Sequence, residues 1–289
     1  TVEAAVTPDL HEDLRVDLLV DEDAKVAQGQ PLMRLNAAPD IALVAPIAGR
    51  VGRIDLRPGH RLSQLVLFHE DGGDRHKFDT NRVGVGASAG TAGLRALLQS
   101  SGLWRAFHSR PFGRMPKAGE SPAAIFVMAV DSTPDAPAPF AAIANREEDF
   151  CRGLDALSQI SDAKCFLCEP AGQPFSGRVP ASISRLRAEE IHPQGIAGFL
   201  AHRYFPAQPY APGWDSHAED IADLGGLLAT GYLPNSRLVT ITGDALREPA
   251  LVRCQPGADL RGLSQNLVRP GPHDVLSGSI LSGRQAHWL

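Results

Sequence analysis

Short apolar runs separated by turn-forming residues fill the first eighty positions of the chain. The apolar runs 18–20 and 32–35 flank the turn 28–31, which contains glycine and proline. Short apolar runs bounded by such residues are typical of β-strands joined by tight turns. Val51 and Ile54, further along, are predicted to point into the core of the same small β-domain.

The middle of the chain changes to a pattern of alternating helices and strands. Leucines recur at helical spacing in 93–102, and the unbroken apolar runs 122–130 and 164–168 are typical of buried strands. Between these strands, Asn145 and Glu148 have the spacing of a capping box at the start of a helix. Strand, helix and strand in this order predict a βαβ unit, and therefore an open α/β domain.

The last third combines one long helix with a hairpin. Residues 192–214 form a region rich in proline and glycine, after which apolar spacing predicts a helix over 216–230. A strand at 238–241 is predicted to turn and to return through 250–253. A short helix is predicted to begin near Asp259.

Composition indicates an ordinary folded protein. Of 289 residues, 43% are hydrophobic and 21% are charged, and the 28 basic against 33 acidic residues give a net charge of −5. A general nucleic-acid binder normally carries a basic patch or stripe, so a nucleic-acid partner is not expected. No apolar run approaches the ~20 residues of a membrane-spanning helix, and the first residues lack the features of a signal peptide. The four cysteines are too few for a disulfide scaffold and suggest a reducing cytoplasm.

Two motifs that could bind a cofactor are interpreted as structural. Gly84, Gly86 and Gly90 loosely resemble a dinucleotide-binding loop, but the preceding polar segment 76–82 is not the buried strand that such a loop requires. Cys165 and Cys168 form C-x-x-C, and on a strand residues three apart point to opposite faces, so both are expected to be buried thiols.

Other chemical signatures are also missing from the sequence. His192, His202 and His217 lie too far apart for a common metal-binding motif, and no G-x-S-x-G is present. No metal and no iron–sulfur cluster are therefore expected in this chain.

The N-terminal part resembles the biotinyl/lipoyl-type barrel-sandwich. The matching segments are V-x-x-G-x-x-L at 26–32 and A-P-x-x-G-x-V at 45–51. A working carrier of this type has a lysine at the tip between the two segments. The corresponding stretch here, 36–44, contains none, so the domain is predicted to be a structural barrel without a carrier lysine.

Several longer segments resemble one family, the NqrA family, whose members are the first-named component of the Na⁺-translocating NADH:quinone oxidoreductase. More distant kin are the C subunit of the Rnf complex and the NADH-binding subunit of respiratory complex I. The segments carrying the resemblance are LLQSSGLWRAFHSRPFGRMP (97–116), PAAIFVMAVDSTP (122–134), REEDFCRGLDALS (146–158), HPQGIAGFLAH (192–202), GLLATG (226–231) and LSGSILSG (276–283).

The resemblance implies an α/β multidomain fold. We expect a barrel-sandwich over 1–80, an open Rossmann-like α/β domain with a degenerate flavin loop over 81–235, and an SLBB module, which is β-grasp-like, over 236–289. The sequence begins within the family pattern and stops at 287–289, soon after the last matching segment. Missing ends and a shortened paralogue are both compatible with this.

The flavin-binding relatives hold FMN on a glycine-rich loop that corresponds to residues 109–116. Here Pro111 and Pro116 remove two N–H donors, Phe112 adds bulk, and only Gly113 remains of the glycines. The resemblance therefore implies a nucleotide-binding fold without flavin. An autonomous flavin or NADH enzyme is disfavoured for the same reason.

By resemblance, the chain is expected to be a peripheral subunit on the cytoplasmic face of the bacterial inner membrane. Its partners would be the other subunits of a complex that couples NADH oxidation and ubiquinone reduction to Na⁺ export. Arg110, Phe112 and Asp131 are the candidate quinone slot, in which ubiquinone would bind as substrate. The second acidic position after the strand is Thr133.

Two alternatives remain open from the sequence. Arg110 and Asp131 could be an ordinary ion pair between loops, because structural ion pairs are common. The whole chain could also be a non-redox scaffold or accessory subunit of a related electron-transfer complex. A large exposed apolar patch would favour the scaffold, since such patches mark partner surfaces.

Overall fold

The first module of the computed structural model is built from two antiparallel sheets. The model describes residues 1–9, 12–81, 83, 90–158, 160 and 162–286. Its sheets have the strand orders β1-β7-β6-β3 and β2-β4-β5. The strands are β1 (Glu3–Val6), β2 (Val16–Leu18), β3 (Lys25–Val26), β4 (Pro31–Leu35), β5 (Ala38–Val44), β6 (Gly49–Arg57) and β7 (Arg61–His69).

Both sheets turn apolar side chains towards a shared core. Val16, Leu32, Val51, Leu65 and Leu67 are fully buried, because alternate residues of a strand point to the same face. The predicted small β-domain with an inward Val51 is confirmed.

The second module is an open α/β sheet with the strand order β11-β10-β9-β12-β8. β9, β10, β11 and β12 are parallel, and β8 pairs antiparallel with β12 at one edge. The elements are α1 (Gly90–Ser100), a 3₁₀ turn (Leu103–Ala106), β8 (His108–Arg110), β9 (Ala124–Met128), α2 (Pro139–Ala142), α3 (Glu147–Leu157), β10 (Lys164–Pro170), β11 (Ile183–Ala188), α4 (Ala197–Tyr204), β12 (Gly213–His217) and α5 (Ala218–Thr230).

Helices cover the two faces of this sheet unequally. α3 and α5 pack on one face, while α4 covers the other. Cys165 belongs to the core under α3 and α5, and Cys168 belongs to the core under α4. The predicted placement of the two thiols on opposite faces is therefore confirmed, as is the parallel βαβ unit. Gly84 and Gly86 of the loose glycine motif lie outside the described residues.

The predicted capping box at α3 is wrong. The helix begins at Glu147, its N-cap residue is Arg146, and no side chain caps it. Asn145 lies in the left-handed region at φ 65°, and its backbone N–H donates to Glu147 Oε1 at 3.2 Å. The carboxylate thus binds the loop before the helix, from a position one residue earlier than the capping-box spacing requires.

The third module begins with the predicted hairpin. β13 (Arg237–Ile241) and β14 (Ala250–Cys254) are antiparallel, with Arg237 opposite Cys254. α6 (Leu260–Ser264) follows, capped by Asp259, which accepts hydrogen bonds from two backbone N–H groups. The last strands, β15 (Leu276–Ser277) and β16 (Arg284–Gln285), form a small second hairpin.

The third module packs back against the first strand of the chain. The Ala5 N–H donates to the Gly257 carbonyl at 2.8 Å, and the Asp259 N–H donates to the Glu3 carbonyl at 3.2 Å. The first and third modules therefore share a backbone contact. None of the described helices combines the length and the apolar character needed to span a membrane.

Candidate functional site

Arg110, on the edge strand β8, is held by a buried carboxylate on the neighbouring strand. Its Nε lies 2.5 Å from Asp215 Oδ1, and its Nη2 lies 3.3 Å from Oδ2. The side chain of Asp215 is 3% exposed. A bidentate arginine–carboxylate pair fixes the plane of the guanidinium as well as its position.

The strand register explains why these two side chains meet. Asp215 lies opposite His108 across the β8–β12 pair, and Gly213 lies opposite Arg110. Arg110 and His108 are two residues apart on one strand, so both point to the same face as Asp215. Because Asp215 is level with Phe126 of β9, this is the face that α4 covers.

The interpretation of Arg110 and Asp131 as an ordinary ion pair is wrong. Arg110 pairs with Asp215, whereas the Asp131 carboxylate accepts a hydrogen bond from the backbone N–H of Thr133 at 2.8 Å. The sequence pattern missed Asp215 because β12 lies within a region that is rich in proline and glycine. A charged residue beside a tryptophan just before a helix was the available signal.

The third nitrogen of the Arg110 guanidinium faces an opening between two glycines. A Cβ atom added to Gly113 would lie 3.2 Å from Arg110 Nη1, and one added to Gly198 would lie 3.6 Å away. Within the described part of the chain, no acceptor forms a hydrogen bond with Nη1. We call this opening the Arg110 recess, bounded by Arg110, Gly113 and Gly198.

Exposed aromatic side chains adjoin both glycines of the recess in sequence. Phe112, beside Gly113, is 66% exposed, and Phe199, beside Gly198, is also exposed. Asp131 approaches from the other side, because the hydroxyl of the next residue, Ser132, accepts a hydrogen bond from the Gly195 N–H at 3.0 Å. Arg110 and Asp131 therefore lie towards opposite ends of the same short segment, 195–198.

His108 adds a second group that can carry positive charge near the recess. Its Nδ1 is 3.9 Å from Asp215 Oδ2, and its side chain is partly exposed. Asp215 is thus the one carboxylate that faces both basic residues of β8.

A second charged cluster lies where β13 meets α5, and we call it the Arg237 cluster. The Arg237 guanidinium lies 2.6 Å from Asp220, 3.4 Å from Glu219 and 3.9 Å from Asp223. Arg146 completes it, with its Nη2 2.8 Å from Asp223 Oδ1.

Burial and charge act in opposite directions in the Arg237 cluster. Burial raises the pKa of Asp223 to about 7, and the neighbouring Asp220 contributes in the same direction. Arg237 and Arg146 lower the pKa of Asp223 in part. The three carboxylates in turn raise the pKa of Arg237, with Asp220 as the largest cause.

A wide cleft of about 690 Å³ lies between the first module and α1, away from the Arg110 recess. Arg95 lines it, but one of its nitrogens, Nη1, donates to the carbonyls of Ala118 and Glu120. The guanidinium also lies over the ring of Trp104. This arginine is therefore engaged in holding the fold.

The thiols of the C-x-x-C motif remain protonated. Burial raises the pKa of Cys165 to about 11. The pKa of Cys168 is raised by burial first, and then by the negative charges of Asp215 and Glu169. In the described parts of the chain, no group of three or more His, Cys, Asp and Glu residues could hold a metal ion.

Family models match three consecutive parts of the chain. The NqrA N-terminal barrel-sandwich hybrid domain matches residues 1–69, the NqrA second alpha/beta domain matches 89–233, and the NQRA C-terminal domain, an SLBB domain, matches 238–287. The predicted fold class, with a barrel-sandwich, an α/β domain and an SLBB module, is confirmed.

Curated relatives match over nearly the whole chain, and all are named as the A subunit of the Na(+)-translocating NADH-quinone reductase. The relative from Marinomonas sp. (strain MWYL1) is 32% identical over 98% of this chain and 63% of its own length. The relative from Yersinia pseudotuberculosis is 30% identical over 93% of this chain and 60% of its own length. The one from Pseudomonas aeruginosa (strain UCBPP-PA14) is 32% identical over 95% and 61%.

The chain therefore spans about three-fifths of the length of these relatives. The second alpha/beta model alone covers half of the chain, and the three models follow one another in the order of the modules. The chain belongs to the NqrA family.

Proposed function

We propose that this chain serves in a peripheral subunit of a Na⁺-translocating NADH:ubiquinone reductase and binds the ubiquinone head group at the Arg110 recess. The observation that carries the proposal is the geometry of one side chain. Arg110 is fixed by Asp215 through two of its nitrogens, and the third faces an opening. A fixed donor beside exposed aromatic surface suits a carbonyl on an apolar ring.

In this proposal the three predicted residues have different tasks. Arg110 Nη1 donates to a carbonyl oxygen of the quinone. Phe112, which is exposed beside Gly113, provides apolar contact for the ring or its substituents. Asp131 bounds the slot at the far end of the segment 195–198, where Ser132 contacts Gly195.

The turn after β8 supports a site without flavin. A phosphate-binding loop must offer free backbone N–H groups. Here the Gly113 N–H donates to the Ser109 carbonyl at 2.8 Å, and the Ser109 N–H donates to the Arg114 carbonyl at 2.6 Å. The turn uses these donors internally, so the residues present do not fit an FMN phosphate.

The names of the relatives support the wider assignment. The chain would dock with the other subunits of the reductase on the cytoplasmic face of the bacterial inner membrane. The complex would couple NADH oxidation and ubiquinone reduction to Na⁺ export. The electrons would come from those other subunits, and this chain would bind quinone rather than catalyse a step alone.

A scaffold without a redox role is the second candidate, favoured by a separate observation. Leu276, Ile280 and Leu281 of the third module are exposed apolar side chains. Apolar side chains close together on a surface are typical of a partner interface. A scaffold would use this surface and would leave the Arg110 recess without a ligand.

Titration of the purified chain with a short-chain ubiquinone, followed by tryptophan fluorescence, tests the proposal. Trp214 immediately precedes Asp215 and lies edge-on to Trp104, with ring centroids 5.2 Å apart, so both report on this sheet. We expect saturable quenching that Arg110→Lys weakens at least about tenfold, since lysine keeps the charge but loses the planar fork. Absence of saturation in the folded chain would overturn quinone binding here and favour the scaffold.

A further inference from the structure

The charge of the Arg110 recess is balanced by a single buried carboxylate. Resting on the proposed function, we propose that Asp215 sets the ligand class of the recess. By neutralising Arg110, it makes the recess select an uncharged carbonyl over an anion. We further propose that the missing side chain of Gly198 keeps the donor accessible.

The first step is the completeness of the neutralisation. Both carboxylate oxygens of Asp215 contact Arg110, at 2.5 and 3.3 Å, and the carboxylate is almost fully buried. Water screens a buried pair little, so the negative charge acts strongly on whatever approaches the guanidinium. A ligand at Nη1 therefore meets a pair with almost no net charge.

The second step is what such a pair can bind. An anion must lose water to enter the recess, and the attraction of Arg110 is offset by repulsion from Asp215 behind it. A quinone carbonyl has no net charge and loses little hydration. It needs only a well-oriented N–H, and Nη1 supplies one without further movement of the side chain.

His108 is the one other basic group close to Asp215. Its Nδ1 is 3.9 Å from the carboxylate, and a protonated imidazole would give the group a net positive charge. Measurements near pH 8 keep His108 mainly neutral, because an ordinary histidine has a pKa of about 6.5.

The third step concerns access. A Cβ at position 198 would lie 3.6 Å from Arg110 Nη1, an ordinary van der Waals distance. Gly198 is the second residue of α4, and a longer side chain there would extend over the recess from the helix. Glycine at this position therefore leaves the donor open without being required by the backbone.

The test uses the purified full chain at pH 8 and calorimetric titration with two probes, a short-chain ubiquinone and inorganic phosphate. Asp215→Asn keeps the shape and one acceptor for Arg110 but removes the negative charge. We expect the ratio of phosphate affinity to ubiquinone affinity to rise at least tenfold in this variant. An unchanged ratio in a variant that melts cooperatively would overturn the proposal.

A second variant tests access without altering a buried charge. Gly198→Leu is expected to weaken ubiquinone binding at least tenfold while the melting temperature stays within a few degrees. His202→Leu, an exposed position on the same helix, is the matched control and should bind as the unmodified chain does. Equal ubiquinone affinity in Gly198→Leu and the control would overturn the role of Gly198.

The two probes separate this proposal from the proposed function. If the unmodified chain fails to bind ubiquinone, quinone binding is wrong, while a gain of phosphate binding in Asp215→Asn still supports charge selection. If the unmodified chain binds ubiquinone and Asp215→Asn gains no phosphate affinity, the selection by Asp215 is wrong and the quinone site stands.

Discussion

Arg110 and Arg237 both contact buried carboxylates on β12 or the helix that follows it, yet the two sites differ in what they leave free. Arg237 is surrounded by Asp220, Glu219 and Asp223. Arg110 has one carboxylate, Asp215, and keeps a nitrogen turned towards an opening.

The glycines beside the two sites show the same contrast. Gly225 on α5 lies so close to α3 that an added Cβ would overlap the carbonyl oxygen of Asp149, whereas an added Cβ at Gly198 meets no close backbone. In the Arg237 cluster the missing side chain allows two helices to pack. In the Arg110 recess it leaves space. The comparison teaches that buried charge joins modules in one place and presents a donor in the other.

Removal of Arg237 should have the largest effect on stability. Arg237→Ala leaves the buried Asp220 and Glu219 without their cation, and we expect a loss of about 3–5 kcal/mol in the free energy of unfolding. Urea denaturation measures it. Arg247→Ala, at an exposed arginine of the same module, is the control and should change stability by less than about 0.5 kcal/mol. Equal effects of the two variants would show that the cluster does not join the modules.

Closing the gap at Gly225 should come next. Gly225→Ala forces α3 and α5 apart, and we expect a loss of about 3 kcal/mol in the free energy of unfolding. The neighbouring Gly226→Ala is the matched control, because its Cβ would meet only the movable carboxylate of Asp149, at 3.2 Å. Comparable losses from both, measured by thermal melting, would contradict the close helix contact.

The pH dependence of the Arg237 cluster is a smaller effect. The pKa of Asp223 is about 7 in the folded chain, against about 3.9 for an unfolded aspartate, so the folded chain binds more protons between these values. Its contribution to stability is complete below about pH 4 and is lost as the pH rises through 7. Between pH 6 and 8 we expect the free energy of unfolding to fall by about 1 kcal/mol through this group.

Asp223→Asn identifies that contribution. Urea denaturation of both proteins at pH 6 and pH 8 should show a smaller pH dependence in the variant, by about 1 kcal/mol. The same dependence in both proteins would assign the titration to other groups.

The smallest effect on stability is expected at the open site. Gly198→Ala places alanine in a helix without a clash, and we expect the free energy of unfolding to rise by about 0.5 kcal/mol. Ubiquinone affinity should fall at the same time, because the methyl group lies beside Arg110 Nη1. A variant that gains stability and binds ubiquinone fully would break the contrast between the two sites.

The sequence predicts the elements whose pattern is long or strongly apolar. The run 122–130 gives β9, and the leucine spacing over 216–230 gives α5, although the helix begins two residues later, at Ala218. The predicted start falls on β12, because the strand ends at His217 and the chain enters the helix directly. Short elements inside the region 192–214 have no periodicity long enough to detect.

The candidate site is predictable only in part. Arg110, Phe112 and Asp131 could be named from the sequence, because the resemblance marks the degenerate loop and the strand end. Asp215 could not, since its partner lies 105 positions away and only the sheet register brings them together.

The most direct test of the central claim is the infrared spectrum of a short-chain ubiquinone labelled with ¹³C at its carbonyls and bound to the chain. A hydrogen bond from Arg110 should lower one carbonyl stretching frequency in the unmodified chain, and this shift should disappear in Arg110→Lys. Identical carbonyl bands in the two proteins, with quinone bound to both, would contradict a donor role for Arg110.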